Sequence, residues 1–216
     1  MKSVMMGAAS LLKKQFIGDA NLGFFPDNKD DRIITNAALT AAVGLTGGTM
    51  INPDAGWFKF MDKGKLLYVA KLPFRSGSET QVLESLGIRD GRKTIEIAGK
   101  TYKVRLLNGW NTAVAAMGAG NTSNHPATVD TEFSRLFYRL CKDGGMVGED
   151  RWGEYTKEEL GFSSNYAIGS GTLCMEWIST TYYLIRGATG LKDAHVGNFS
   201  GATQARGWRP VLELVA

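Results

Sequence analysis

Two cysteines and two histidines are the only thiols and imidazoles in this sequence: Cys141, Cys174, His125 and His195. A thiolate serves as nucleophile or metal ligand, and an imidazole as base or ligand. Both histidines lie in polar, glycine-rich neighbourhoods with no Cys, His or Glu at metal-ligand spacing, so each reads as a surface loop residue. Cys141 falls on the apolar stripe of a predicted helix and Cys174 in a predicted strand. Both read as buried thiols behaving as small hydrophobes, with a bridge between them left open. Asn52-Pro53-Asp54 and Trp110-Asn111-Thr112 read as turns, and no dense acidic loop offers the convergent oxygens of a hard-cation site. Gly118-Ala119-Gly120 and Gly169-Ser170-Gly171 are isolated glycine clusters, not phosphate loops. The sequence therefore points to no catalytic set, no cofactor and no metal.

What remains is loop surface rich in rings and amides. It comprises Trp110-Asn111, the stretch Asn121-Thr122-Ser123-Asn124-His125, Trp152-Gly153-Glu154-Tyr155, and Lys192 through Phe199. Rings stack on sugar faces and fixed amides bond hydroxyls. On that basis Trp110, Asn111, Trp152, Tyr155, His195 and Asn198 are the candidate ligand- or receptor-binding residues. The competing reading is that Trp110, Trp152 and Tyr155 close loops over the core.

The elements that position these loops are mostly strands. Glycine is the compositional outlier, 27 residues against 5 prolines in a chain of 216, which implies many tight turns in a β-rich protein. Trp57–Met61 and Lys65–Leu72 flank a turn at Asp62-Lys63-Gly64, with Pro73 ending the second strand. Thr94–Ile97 and Tyr102–Leu106 alternate around Ala98-Gly99 as a second hairpin, with Ile95, Ile97, Tyr102, Val104 and Leu106 on its buried face. Short strands are also expected at Leu173–Ile178, Tyr182–Arg186 and Trp208–Leu214. Helices are expected at Ile33–Val43 and Glu79–Leu86. The clearest helix carries Phe133, Leu136, Phe137, Leu140 and Cys141 on one side and Glu132, Arg135, Arg139 and Lys142 on the other, capped by Asp130 or Thr131. Thr156-Lys157-Glu158-Glu159 is a capping box opening a further short helix that stops at Gly161.

Residues 1–54 look unlike the rest. They are rich in small residues and broken by Asp27-Asn28-Lys29-Asp30-Asp31, so they read as an arm packing on a neighbouring subunit or a flap on the main domain, residues 55–216. The net charge is +4, with residues 1–108 at +6 and residues 109–216 at −2. The basic residues Lys59, Lys65, Lys71, Lys103 and Arg105 are scattered singly along alternating strands, which favours a solvated strand face over a specific nucleic-acid patch. No stretch approaches the roughly 20 apolar residues of a membrane span. Lys13-Lys14 interrupts the short apolar start before a secretory signal is complete, so the chain is expected to begin as mature sequence inside the cell.

The ending Gly207-Trp208-Arg209-Pro210-Val211-Leu212-Glu213-Leu214 resembles the closing strand of a broad group of phage and prophage proteins. So do the preceding pair Cys174–Ile178 and Tyr183–Gly187 and the upstream block from Gly56 to Leu107. The order of helix, glycine loops, Trp-containing strand, Arg-Gly strand and terminal Gly-Trp-Arg is similar to C-type-lectin-like domains, in the branch holding formylglycine-generating enzymes and phage receptor-binding tips. The resemblance implies an α+β, β-rich fold: a C-type-lectin-like domain with an N-terminal arm. It also implies a non-enzymatic virion protein made in the host cytoplasm, a homo-oligomer with other virion proteins as partners. A receptor-binding adhesin for a host surface glycan or protein is the alternative, and a formylglycine-generating type of enzyme a remote one. That family relies on a pair of nearby cysteines, whereas Cys141 and Cys174 are far apart. Calcium-dependent lectins carry Trp-Asn-Asp where this chain has Trp110-Asn111-Thr112, without the last carboxylate. In the terminal block itself, Trp208, Leu212 and Leu214 alternate onto one face, Arg209 points the other way, and Pro210 marks an edge or a bulge.

Overall fold

The computed structural model describes residues 16–26, 32–110, 122–124, 130–162, 168–179, 182–198 and 206–215. In chain order the elements are β1 (Ile17–Gly18), β2 (Leu22–Phe24), α1 (Asn36–Val43), β3 (Thr49–Met50), β4 (Trp57–Asp62), β5 (Lys65–Ala70), β6 (Arg75–Ser76), α2 (Thr80–Ser85), β7 (Asp90–Ile97), β8 (Lys100–Arg105), β9 (Thr122–Asn124), α3 (Glu132–Leu140), β10 (Gly171–Ser179), β11 (Tyr182–Arg186), β12 (Asp193–Asn198), β13 (Arg206–Trp208) and β14 (Val211–Leu214). Strand residues outnumber helical ones, 39% to 17%, so the fold is α+β and β-rich.

Among the described residues the strands form two sheets of seven. The first runs β1-β2-β4-β5-β14-β8-β7 and the second β3-β6-β13-β10-β11-β12-β9. Both expected hairpins form. Asp62↔Lys65 and Ile97↔Lys100 close two-residue loops, and Lys63, Gly64, Ala98 and Gly99 all have φ between 50° and 75°. These are type I′ turns, whose twist matches that of the flanking strands.

The first sheet buries both faces, and its alternation decides which core each residue enters. Tyr68, Tyr102, Val104 and Leu212 face α1, α2 and the second sheet's Leu173, Tyr183, Ile185 and Trp208. Phe58, Phe60, Leu67, Val69 and Val211 face the other way, against Phe133, Leu136, Phe137 and Leu140 of α3. Thr131 caps α3, its side chain accepting from the Ser134 amide at 3.0 Å.

The last segment threads both sheets. β13 lies between β6 and β10 in the second, and β14 lies between β5 and β8 in the first. Trp208, Leu212 and Leu214 join one core, as their alternation predicts, while Arg209 turns into the other against Phe137 and Phe162. Pro210 marks neither an edge nor a bulge. It sits where the chain leaves one sheet for the next, a place that asks no ladder donation of it. Gly207 is required by crowding: a Cβ there would stand 2.6 Å from Pro73 Cβ and 2.7 Å from the carbonyl oxygens of Gly169 and Gly171.

The described part of residues 1–54 packs on residues 55–216, as a flap on the main domain would. β1 and β2 extend the first sheet from β4, β3 pairs with β6, and Leu39, Val43 and Leu45 lie in the first core. A helix of small residues buries little by itself, but a large core can absorb its few apolar positions. The Thr156 capping box forms, with the Glu159 amide donating to Thr156 Oγ1 and the Thr156 amide to Glu159, yet it opens a single turn and no helix. Asp193–Asn198 and Thr122–Asn124, read as loop, are strands β12 and β9, paired with each other and with β11. Arg105 is buried, not on a solvated strand face, and Glu132 and Arg135 are likewise covered.

Candidate functional site

Those covered charges gather at one end of the first sheet. Arg105 is the last residue of β8 and shares a sheet face with Lys103 and with Glu213 of β14. Its Nε donates to Glu213 Oε2 at 2.9 Å, and Nη1 and Nη2 donate to the two oxygens of Glu132 at 2.8 and 2.6 Å. Glu132 opens α3, where a carboxylate meets the positive end of the helix dipole, and it also accepts the Asn108 amide at 3.0 Å. One turn later Arg135 grips Asp62, Nε to Oδ1 at 2.7 Å and Nη2 to Oδ2 at 2.8 Å, and also reaches Asp130. Lys65 completes the group with Glu213 at 2.9 Å.

These residues line a cleft of about 430 Å³, with Lys63, Lys65 and Lys103 at the rim and Arg105, Glu132 and Glu213 below. Burial pulls the Arg105 guanidinium down, but the Glu132 and Glu213 carboxylates outweigh it and hold the group above its ordinary range. Burial raises Glu213, and its bond from Lys65 and the charge of Arg105 more than reverse this. Each buried charge is thus matched by an opposite one. The arrangement ties β8, β14, β4 and α3 together, and Lys63, Lys65, Lys103 and Asp90 are exposed charges among the residues lining the cleft.

A second carboxylate nest lies where the two sheets meet. Leu107 bridges to Cys174 in parallel, and the next residues wrap Glu176 of β10. The amides of Gly109 (3.1 Å) and Trp110 (3.4 Å) and the side-chain amide of Asn108 all donate to its carboxylate. Burial pushes Glu176 up to about 7, against the pull of those donors.

The described ring residues among the contact candidates lie in different clusters, Trp152 and Tyr155 in one and Trp110 in another. Trp152 is buried, stacked on Phe24 with centroids 6.1 Å apart, and Tyr155 meets Phe58 edge-on within the same core. Trp110 packs on the second sheet, against Val196 and against the cluster of Cys174, Leu184 and Ala194. His195 is registered with Ile185, on the opposite face of that sheet from Leu184 and Val196. Burial lowers its pKa. Asn198 ends β12 opposite Tyr182, and Asn111 and His125 lie outside the described residues. Among the described residues no group of three His, Cys, Asp or Glu side chains could hold a metal.

Cys141 and Cys174 are free and buried, and burial pushes both thiols up, Cys174 well above its usual value. A thiol held protonated is a poor nucleophile, so both serve as packing groups. Arg105, Glu132 and Glu213 escaped the sequence reading, although one signal for them was present. Glu213 shares the Val211 face of a strand with apolar residues on both sides, and a charge on a core face requires a partner. The chain matches no known protein-family model, no curated protein and no solved structure.

Proposed function

We propose that the chain is a structural protein of a bacteriophage particle. It is a tail, collar or capsid-surface component that displays a C-type-lectin-like domain and assembles with its own copies and with other virion proteins. One observation carries this reading. Every residue of the terminal block resembling phage proteins has a task in closing the frame. Gly207 permits close approach to Pro73, Trp208 fills one core, and Arg209 enters the other. Pro210 spans the junction, Val211 and Leu212 divide between the cores, Glu213 pairs with Arg105, and Leu214 packs beside Leu212. A motif that specifies a frame in this way argues that the phage proteins bearing it share the frame.

The test is quantitative mass spectrometry of purified particles from a host carrying the gene. The reading expects this chain in the particle at a fixed ratio to known virion proteins, and its absence from particles while abundant in the lysate overturns it. A receptor-binding adhesin for host glycan or protein is the second reading. It rests now on Trp110, which is only half-buried, because Trp152 is sunk in the core. Unchanged adsorption with Trp110→Ala removes its basis.

A further inference from the structure

Arg209 is fully buried, and among the described residues no carboxylate pairs with it. Its Nη2 donates to the Leu160 carbonyl oxygen, and its guanidinium carbon lies 4.7 Å from the Phe137 ring centroid and 4.8 Å from that of Phe162. Nε and Nη1 are enclosed without any acceptor. Thr172 adds a second orphan. Its hydroxyl is buried with no partner, on the strand position registered against Gly207, two residues before Arg209. The one titratable neighbour felt as favourable is Cys174, and its thiol is protonated.

The energies do not close with these contacts alone. Desolvating a guanidinium is costly even after relaxation. The ring contacts and the single hydrogen bond return part of that cost. Two N–H groups left without acceptors add a further penalty. The other buried arginine of this core, Arg186, is better provided, with the Gly109 and Asp193 carbonyls and the Tyr138 hydroxyl as acceptors.

We propose that the Arg209 guanidinium holds a monatomic anion of the halide class inside the core. The chemistry selects this occupant. The donors are cationic or hydroxylic, the walls are aromatic, and full enclosure favours a small monatomic ion over a polyatomic one. The bound ion makes Arg209 one half of an internal ion pair whose other half is drawn from the medium. It thereby fastens β13 to the turn at Leu160–Phe162.

The experiment compares the full chain in sodium chloride, sodium bromide and sodium gluconate at equal ionic strength. Gluconate is too large to enter. The urea midpoint is expected to rise with halide concentration and saturate, with gluconate giving no such rise. Chloride-35 line broadening on the folded chain should be displaced by bromide. A bromide-soaked crystal should show an anomalous peak beside Nε or Nη1 of Arg209. Arg209→Met, which keeps the bulk and removes the charge, should lose both the halide dependence and the line broadening. If that variant does not fold, Thr172→Val provides the second test, requiring several-fold more halide for half of the effect. Equal midpoints in all three salts, with no broadening and no anomalous peak, would mean that water alone fills the site and would overturn the proposal. Halide dependence that persists unchanged in both variants would overturn it as well.

Discussion

Arg105 of β8 and Glu132 of α3 meet through two parallel bonds, 2.8 and 2.6 Å long, with both side chains less than a tenth exposed. The pair joins a strand from the middle of the chain to a helix some thirty residues later. Glu213 from the last strand closes it from the other side.

Breaking this pair from one end should be costly. Glu132→Ala leaves Arg105 buried with half of its charge compensation gone, and about 3–5 kcal/mol of stability should be lost. Replacing both partners, Arg105→Met with Glu132→Leu, should recover most of that, because an apolar pair of similar volume has no charge to desolvate. Urea denaturation of the two variants and the wild type gives the comparison. A single variant within 1 kcal/mol of wild type would show that solvent reaches the pair.

Glu176 should make the fold less stable as pH rises. Its carboxyl sits at about 7 when folded and near 4.3 in an unfolded chain. The folded state therefore binds the proton more tightly. The stability this contributes is fully present below the unfolded value and is lost as pH climbs to about 7. Glu176→Gln should flatten that slope. Above pH 7 it should gain up to about 3 kcal/mol, less whatever the amide forfeits against the Gly109 and Trp110 donors. Denaturation midpoints between pH 4.5 and 8 check this, and parallel curves for both proteins would refute it.

Much of the frame was legible because it is local. Hairpins around Lys63-Gly64 and Ala98-Gly99, the α3 stripe from Phe133 to Cys141, and the facing of Trp208, Leu212 and Leu214 all follow from periods of 2 or 3.6 residues. The insertion of β14 between β5 and β8 is not local: it brings Glu213 to Arg105 across 108 positions. No spacing in the sequence encodes that register, so the charged cleft stayed hidden. The partners of the ring residues were hidden for a related reason. Trp152 and Tyr155 lie in a polar stretch, and only the arrival of Phe24, Phe58 and Phe60 from distant strands makes their surroundings apolar.

Gly207→Ala should destabilise although its backbone is not left-handed. The new methyl would press on Pro73 and two carbonyl oxygens at under 3 Å, and backbone on both neighbouring segments must move. Overpacking of this kind costs about 1–3 kcal/mol. Thermal unfolding would register it, and an unchanged transition would mean that the β6–β13–β10 packing is looser than described.

Both thiols should resist modification in the folded state. A disulfide-exchanging reagent at pH 8 is expected to label neither Cys141 nor Cys174 in native buffer and both in 6 M urea. Stoichiometric labelling of Cys174 in native buffer would contradict its burial between the sheet and Trp110.

The central claim is that residues 206–214 clasp both sheets at once, and native-state hydrogen exchange tests it most directly. The amides of Trp208, Leu212 and Glu213 should be among the slowest in the molecule, exchanging only through global unfolding and shifting together when Glu132→Ala lowers stability. Fast exchange of this segment while β4, β5 and β8 stay protected would show that the first sheet holds without its last strand, and the account would fail.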